Sequence, residues 1–178
     1  MVINRRGPSV VRARNQGLHG RDAAGGSGTL GGVINELPDP LLTQVYRLKA
    51  VAGPPLDVGD VLTGHRRIVP LVAGTFTGPE LNGTLLPGGS AWWQIDSPDG
   101  AARAEIRYTL QTDRGALLYV RSSGVGRTAD VDAVEHSIRS ATCIETAAPD
   151  LDWLNRGVFV TVAGRTTVNM LYETYLVG

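Results

Sequence analysis

From Leu42 onward, Gly, Pro, Asn and Asp break the chain at regular intervals into eight short apolar or alternating runs: LTQVYRLKAV, HRRIVPLVAGTFTG, NGTLLPGGSAWWQID, ARAEIRYTLQT, ALLYVRSS, SIRSATCIET, GVFVTVAG and TVNMLYETYLV. Runs of this length, bounded by turn residues, are strand signals. Placed one after another along the chain, they predict an all-β fold. The expected form is a single antiparallel β-barrel of about eight strands, with a sandwich as the alternative. Closure is favoured because it removes the strand edges that invite association. Helix is expected for at most one or two turns, within TADVDAVEHS, where Asp132 can cap and Glu135 stands three residues on.

One hairpin is legible in more detail. In RAEIRYTLQTDRGALLYVRSS, the turn TDRGA suits a three-residue loop, with Asp113 and Arg114 in a type I turn and Gly115 left-handed. Thr112 then pairs with Ala116, Thr109 faces Tyr119, and Arg107 faces Arg121. Alternation sorts the residues: Glu105, Arg107, Thr109, Tyr119 and Arg121 share one face, and Ala104, Ile106, Tyr108, Leu110, Leu118 and Val120 share the other. A one-residue slip destroys this sorting. Two readings of the charged face compete. The usual arrangement of a half-buried sheet puts it in water. The other turns it into a wet, ligand-sized lumen and covers the apolar face with another subunit or segment.

Charge narrows the partners. The chain has 17 Lys+Arg and 17 Asp+Glu, a net charge of zero, which lacks the electrostatic footprint of a nucleic-acid binder. No stretch reaches the roughly 20 apolar residues of a membrane span, and no hydrophobic signal core opens the chain. Cys143 is the only cysteine, so no intrachain disulfide is available; a buried inert thiol is the expectation, in a soluble, cytoplasmic protein. Residues 1–34 differ from the rest. They hold five arginines against Asp22 alone, leaving 12 basic and 16 acidic residues beyond them. With GGSGTLGG and no apolar periodicity, residues 1–35 read as a flexible leader, with a lid over the barrel as one available role, and residues 36–178 as the barrel domain.

The stretches YRLKAVAGPPLDVGD, GTFTGPELNGTLLPGGSAWWQ, AEIRYTLQTDRGALLYVRSSG and IETAAPDLDWLNRGVFVTVAGR resemble, in order and over roughly residues 37–178, the family called domain of unknown function 3237. The resemblance implies a small barrel similar to that of allene oxide cyclase, a scaffold on which cofactor-free cyclisations, isomerisations and lyase reactions are known. It also implies an acid and an arginine two residues apart at Glu105 and Arg107, a tyrosine at Tyr119, an acid at Glu145, and the segment Trp153, Leu154 and Asn155. Family members commonly read Gly-Ser-Ala-Asp-Trp where this chain has GSAWW, so Trp92 replaces an acid. A loop and helix usual after RSSG are shortened here, and His136 stands where a tyrosine is usual. A recurring acid and arginine on one strand face lend weight to the lumen reading.

Other motifs carry less. Gly26, Gly28 and Gly31 match G-x-G-x-x-G, but no strand precedes them and no helix follows, so the dinucleotide reading is discarded. His19, His65 and His136 lack the paired spacing of a metal site. Arg66 and Arg67, adjacent on a strand, must point to opposite faces, and so must Trp92 and Trp93. Arg139, Cys143 and Glu145 share a face of their strand. The leading expectation is a cofactor-independent lyase, isomerase or cyclase, without metal, acting on a small, largely apolar or aromatic molecule in the barrel lumen. Glu105 and His136 would move protons, Arg107 and Arg121 would hold negative charge, and Trp92, Trp93, Tyr119 and Glu145 would line the substrate site. The alternatives are a non-catalytic small-molecule-binding barrel and a structural homo-oligomer.

Overall fold

The computed structural model describes residues 37–127, 138–165 and 169–178. Nine strands run in chain order: β1 (Leu42–Ala52), β2 (Leu56–Val61), β3 (Gly64–Thr77), β4 (Gly83–Asp96), β5 (Ala101–Thr112), β6 (Leu117–Arg127), β7 (Ile138–Glu145), β8 (Val158–Arg165) and β9 (Asn169–Val177). A 3-10 turn at Pro149–Leu151 and a one-turn helix, α1 (Trp153–Arg156), lie between β7 and β8. Eight strands form a closed antiparallel barrel in the order β1-β9-β8-β7-β6-β5-β4-β3, with β1 pairing β3 to complete the ring. The eight expected runs are the eight barrel strands. The ninth, β2, pairs only with the first half of β3 and hangs outside the ring.

The β5–β6 hairpin has the register that turn chemistry predicts. Thr109 faces Tyr119 and Arg107 faces Arg121. Gly115 has φ +86° and its N–H donates to the Thr112 carbonyl at 2.8 Å. Beneath it, Ala104, Ile106, Tyr108, Leu110, Leu118 and Val120 are each at most 1% exposed and belong to the core that fills the barrel. The interior takes the apolar face, because closing the ring encloses a volume that side chains fill. Glu105, Arg107, Tyr119 and Arg121 are therefore exposed on the outer surface. This corrects the expectation that the charged face lines a lumen.

A bulge re-aims β4. Pairing with β5 shifts between Leu86 and Ala91, around Pro87, Gly88 and Gly89, and both glycines sit at positive φ (+86° and +87°), where a side chain is strained. After the bulge, alternation carries Trp92, Gln94 and Asp96 inward and Trp93 outward. Trp92 is 2% exposed.

Elsewhere α1 covers the barrel core. Leu154 is buried there, and Trp153 meets Phe159 at a ring-centroid distance of 6.3 Å. Asn155 clamps this connection, its Oδ1 accepting from the Thr146 N–H at 2.8 Å and its Nδ2 donating to the Thr146 carbonyl at 2.9 Å. The expected helical turn within residues 128–137 lies outside the described residues.

Candidate functional site

The outer charged face is held by local ion pairs. Arg107 and Arg121 stand opposite each other, and each has its own carboxylate: Glu105 lies 3.5 Å from Arg107 and Glu145 lies 3.0 Å from Arg121. Arg107 also sits over the outward Trp93 ring, 5.5 Å from its centroid. All four charged side chains are at least half exposed, so each pair contributes at most about 1 kcal/mol. Tyr119, Glu145 and Trp93 share this outer side and line no lumen. Cys143 is exposed rather than buried, because it lies on the Arg139–Glu145 face that alternation predicts. His136 lies outside the described residues.

The inner surface carries a different polar set. Trp92 Nε1 donates to Gln94 Oε1 at 3.1 Å, Gln94 Nε2 donates to Asp96 Oδ1 at 2.5 Å, and Arg67 pairs with Asp96 Oδ2. Sequence spacing sets half of this chain, since residues 92, 94 and 96 share one face of β4. Register sets the other half, pairing Arg67 with Gln94 and so turning Arg67 inward while Arg66 turns out. Gln94 is 7% exposed and the Asp96 side chain 11%. Beyond Gln94 the inner row continues through Ala104, Gly124 and Ser140, all small.

Trp92 connects this chain to buried tyrosines. The Trp92 and Tyr172 ring centroids are 6.2 Å apart, and those of Tyr172 and Tyr108 are 5.6 Å apart. The Tyr108 and Tyr46 hydroxyls are hydrogen-bonded at 2.9 Å. Farther round the barrel Ser122, Thr142, Thr161 and Thr174 link β6 to β9 through successive hydroxyl contacts of 2.7, 2.7 and 2.8 Å. Two buried side-chain polar atoms break this pattern of satisfaction: Tyr172 Oη and Arg67 Nε have no partner among the described residues. Burial pushes the phenols of Tyr46, Tyr108 and Tyr172 upward, so they stay neutral and act as hydrogen-bond donors rather than bases.

The sequence reading missed Arg67, Gln94, Asp96 and Tyr172. A signal was available in part. Once Trp92 is inward, Gln94 and Asp96 are polar residues at core parity, which a strand rarely spends without purpose.

Comparison with known proteins finds a matching family and similar folds. The model of the family described as "Protein of unknown function (DUF3237)" matches residues 40–177. A UPF0311 protein of Clostridium acetobutylicum is 29% identical over 157 residues, covering 82% of this chain and 99% of its own length. A solved structure described as a beta-barrel like protein from Acinetobacter baumannii superposes with a TM-score of 0.72 at 30% identity, covering 81% of this chain and 99% of that one. A structure described as an enzyme from Penicillium herquei has a TM-score of 0.65, covering 82% of this chain and all of that one; at 20% identity it shows likeness of fold alone.

Proposed function

The chain belongs to the DUF3237 family, and on that premise we propose that it is a cofactor-independent catalyst of the lyase, isomerase or cyclase type. Its substrate is a small, largely apolar or aromatic molecule admitted between the packed side chains of the inner surface formed by Trp92, Gln94, Asp96, Arg67 and Tyr172, which part to take it in. Two buried polar atoms without a partner among the described residues carry this reading: Arg67 Nε, next to the Asp96 carboxylate that Gln94 and Arg67 hold, and Tyr172 Oη, whose ring lies against Trp92. A buried donor left unmet costs about 1–3 kcal/mol. A substrate oxygen that accepts from either donor removes that cost.

The chemistry follows from the group types. Asp96 accepts a proton from one substrate atom and returns it to another, while Tyr172 and Arg67 donate hydrogen bonds to the oxygen where negative charge develops. In an isomerisation or cyclisation, bonds are exchanged within the substrate and its oxidation state is unchanged, so these groups suffice. The aromatic faces of Trp92 and Tyr172 suit an apolar or aromatic skeleton. Glu105, Arg107 and Arg121 have no part in this reading, because they lie on the other side of the sheet.

The test starts from binding. Naphthols and aromatic acids are titrated against the full chain while tryptophan fluorescence is followed. A ligand on the inner surface is expected to weaken about tenfold in Tyr172→Phe, the worth of one buried hydrogen bond, and to be unaffected by Glu105→Gln. Any ligand found is then incubated and assayed for a changed product, with conversion expected to vanish in Asp96→Asn at unchanged affinity. Binding without conversion makes the protein a carrier. Loss of binding in Glu105→Gln but not in Tyr172→Phe overturns the inner site.

A further inference from the structure

The outer surface carries a second set of arginines with a different character. Cross-strand register builds one row over five strands: Arg66 faces Ile95, Ile95 faces Arg103, Arg103 faces Val125, and Val125 faces Arg139. Arg66, Arg103 and Arg139 are thus spaced at two strand widths, about 10 Å, with one apolar residue between neighbours. The three line a groove of about 570 Å³, together with Trp93, Glu105 and Ser123.

None of these three side chains has an ion pair or hydrogen bond among the described residues, in contrast to Arg47, Arg107 and Arg121, each of which has a carboxylate. The contrast is sharpest along the row itself. Past Arg139 it continues through Val162 and Glu173 to Arg47, where the charges pair at 2.5 Å. The positive stretch is also local, because residues beyond the leader hold more acids than bases, 16 against 12.

We propose that this groove binds a small molecule bearing two or more phosphate groups. Three like charges on one surface repel, and an anion set between two of them relieves both. Guanidinium forks match phosphate oxygens in charge and in geometry. The intervening Ile95 and Val125, the latter 64% exposed, offer a floor that does not compete for the donors. Arg103 belongs to both neighbouring pairs, so it is the pivot of the site. The one acid of the groove, Glu105, sits in the adjacent row and is engaged by Arg107. None of the three arginines belongs to the inner polar set of Arg67, Trp92, Gln94, Asp96 and Tyr172, so the fate of this site is independent of the catalytic reading.

Isothermal titration of the full chain with sodium tripolyphosphate at low ionic strength tests it. Saturable binding is expected, weakened about tenfold or more in Arg103→Gln, by less in Arg66→Gln or Arg139→Gln, and unchanged in Arg47→Gln. The substituted side chains lie on the outer face, and an unchanged thermal midpoint verifies the fold. Three results would overturn the proposal: no saturable binding to the parent chain, equal weakening in Arg47→Gln, or full affinity retained in Arg103→Gln.

Discussion

Tyr108 and Tyr172 lie against each other in the barrel core, and they differ in what their hydroxyls meet. Tyr108 bonds Tyr46 at 2.9 Å, whereas the Tyr172 hydroxyl meets no partner among the described residues. Removing a bonded hydroxyl strands its neighbour; removing an unbonded one strands nothing. Tyr108→Phe is therefore expected to cost about 1 kcal/mol in urea denaturation, and Tyr172→Phe to be neutral or slightly stabilising. Equal costs would mean that Tyr172 is already satisfied, and the case for a ligand at its hydroxyl would fall. The sequence marks neither tyrosine as functional, since an inward tyrosine at core parity is an ordinary core residue.

At the scale of the element, β2 is the strand that the sequence did not announce. LDVGDV is short, carries two aspartates, and bends at Gly59 with φ +85°. Its anchor is His65, whose Nδ1 lies 2.8 Å from Asp60 and whose Nε2 lies 2.9 Å from Asp57. The hydrogen bond to Asp60 raises the His65 pKa above 6.5, with the charges of both aspartates adding and desolvation opposing. A raised pKa means that the folded hairpin holds the proton more tightly than the unfolded chain does. The contribution is complete below about 6.5 and is lost as pH rises through the folded value. Amide exchange in β2, corrected for intrinsic rates and referred to β5, is expected to be better protected at pH 6 than at pH 8, and His65→Gln to abolish the difference. A pH-independent protection ratio in the parent chain would refute the anchor. The β5–β6 hairpin is the opposite case: its turn residues and alternation are contiguous, so its register was readable before any fold was known. Helix α1 escaped notice because its four residues make a single turn, too short for an i, i+3, i+4, i+7 apolar pattern to repeat.

The whole molecule depends on the seam where β1 meets β3. Gly74 is packed there so closely that an added Cβ would stand 2.8 Å from the Lys49 carbonyl oxygen and 3.2 Å from the Ala50 Cα. Gly74→Ala is expected to cost about 1–3 kcal/mol through overpacking of the seam. Gly164→Ala, where a Cβ meets nothing within 4 Å, should change stability little. Denaturation midpoints compare the two, and a harmless Gly74→Ala would show that closure is not tightly packed there. The strand runs, the tight turn at Gly115 and the sorting of residues onto two faces were determined by the sequence alone, since each depends on neighbours one or two positions away. Which face turns inward was decided only by closure, because the two sides of an isolated hairpin are equivalent to its backbone and only the enclosed volume distinguishes them. The meeting of Arg67 with Asp96, 29 residues apart, and the alignment of Arg66, Arg103 and Arg139 likewise come from tertiary structure, through cross-strand register and the β4 bulge.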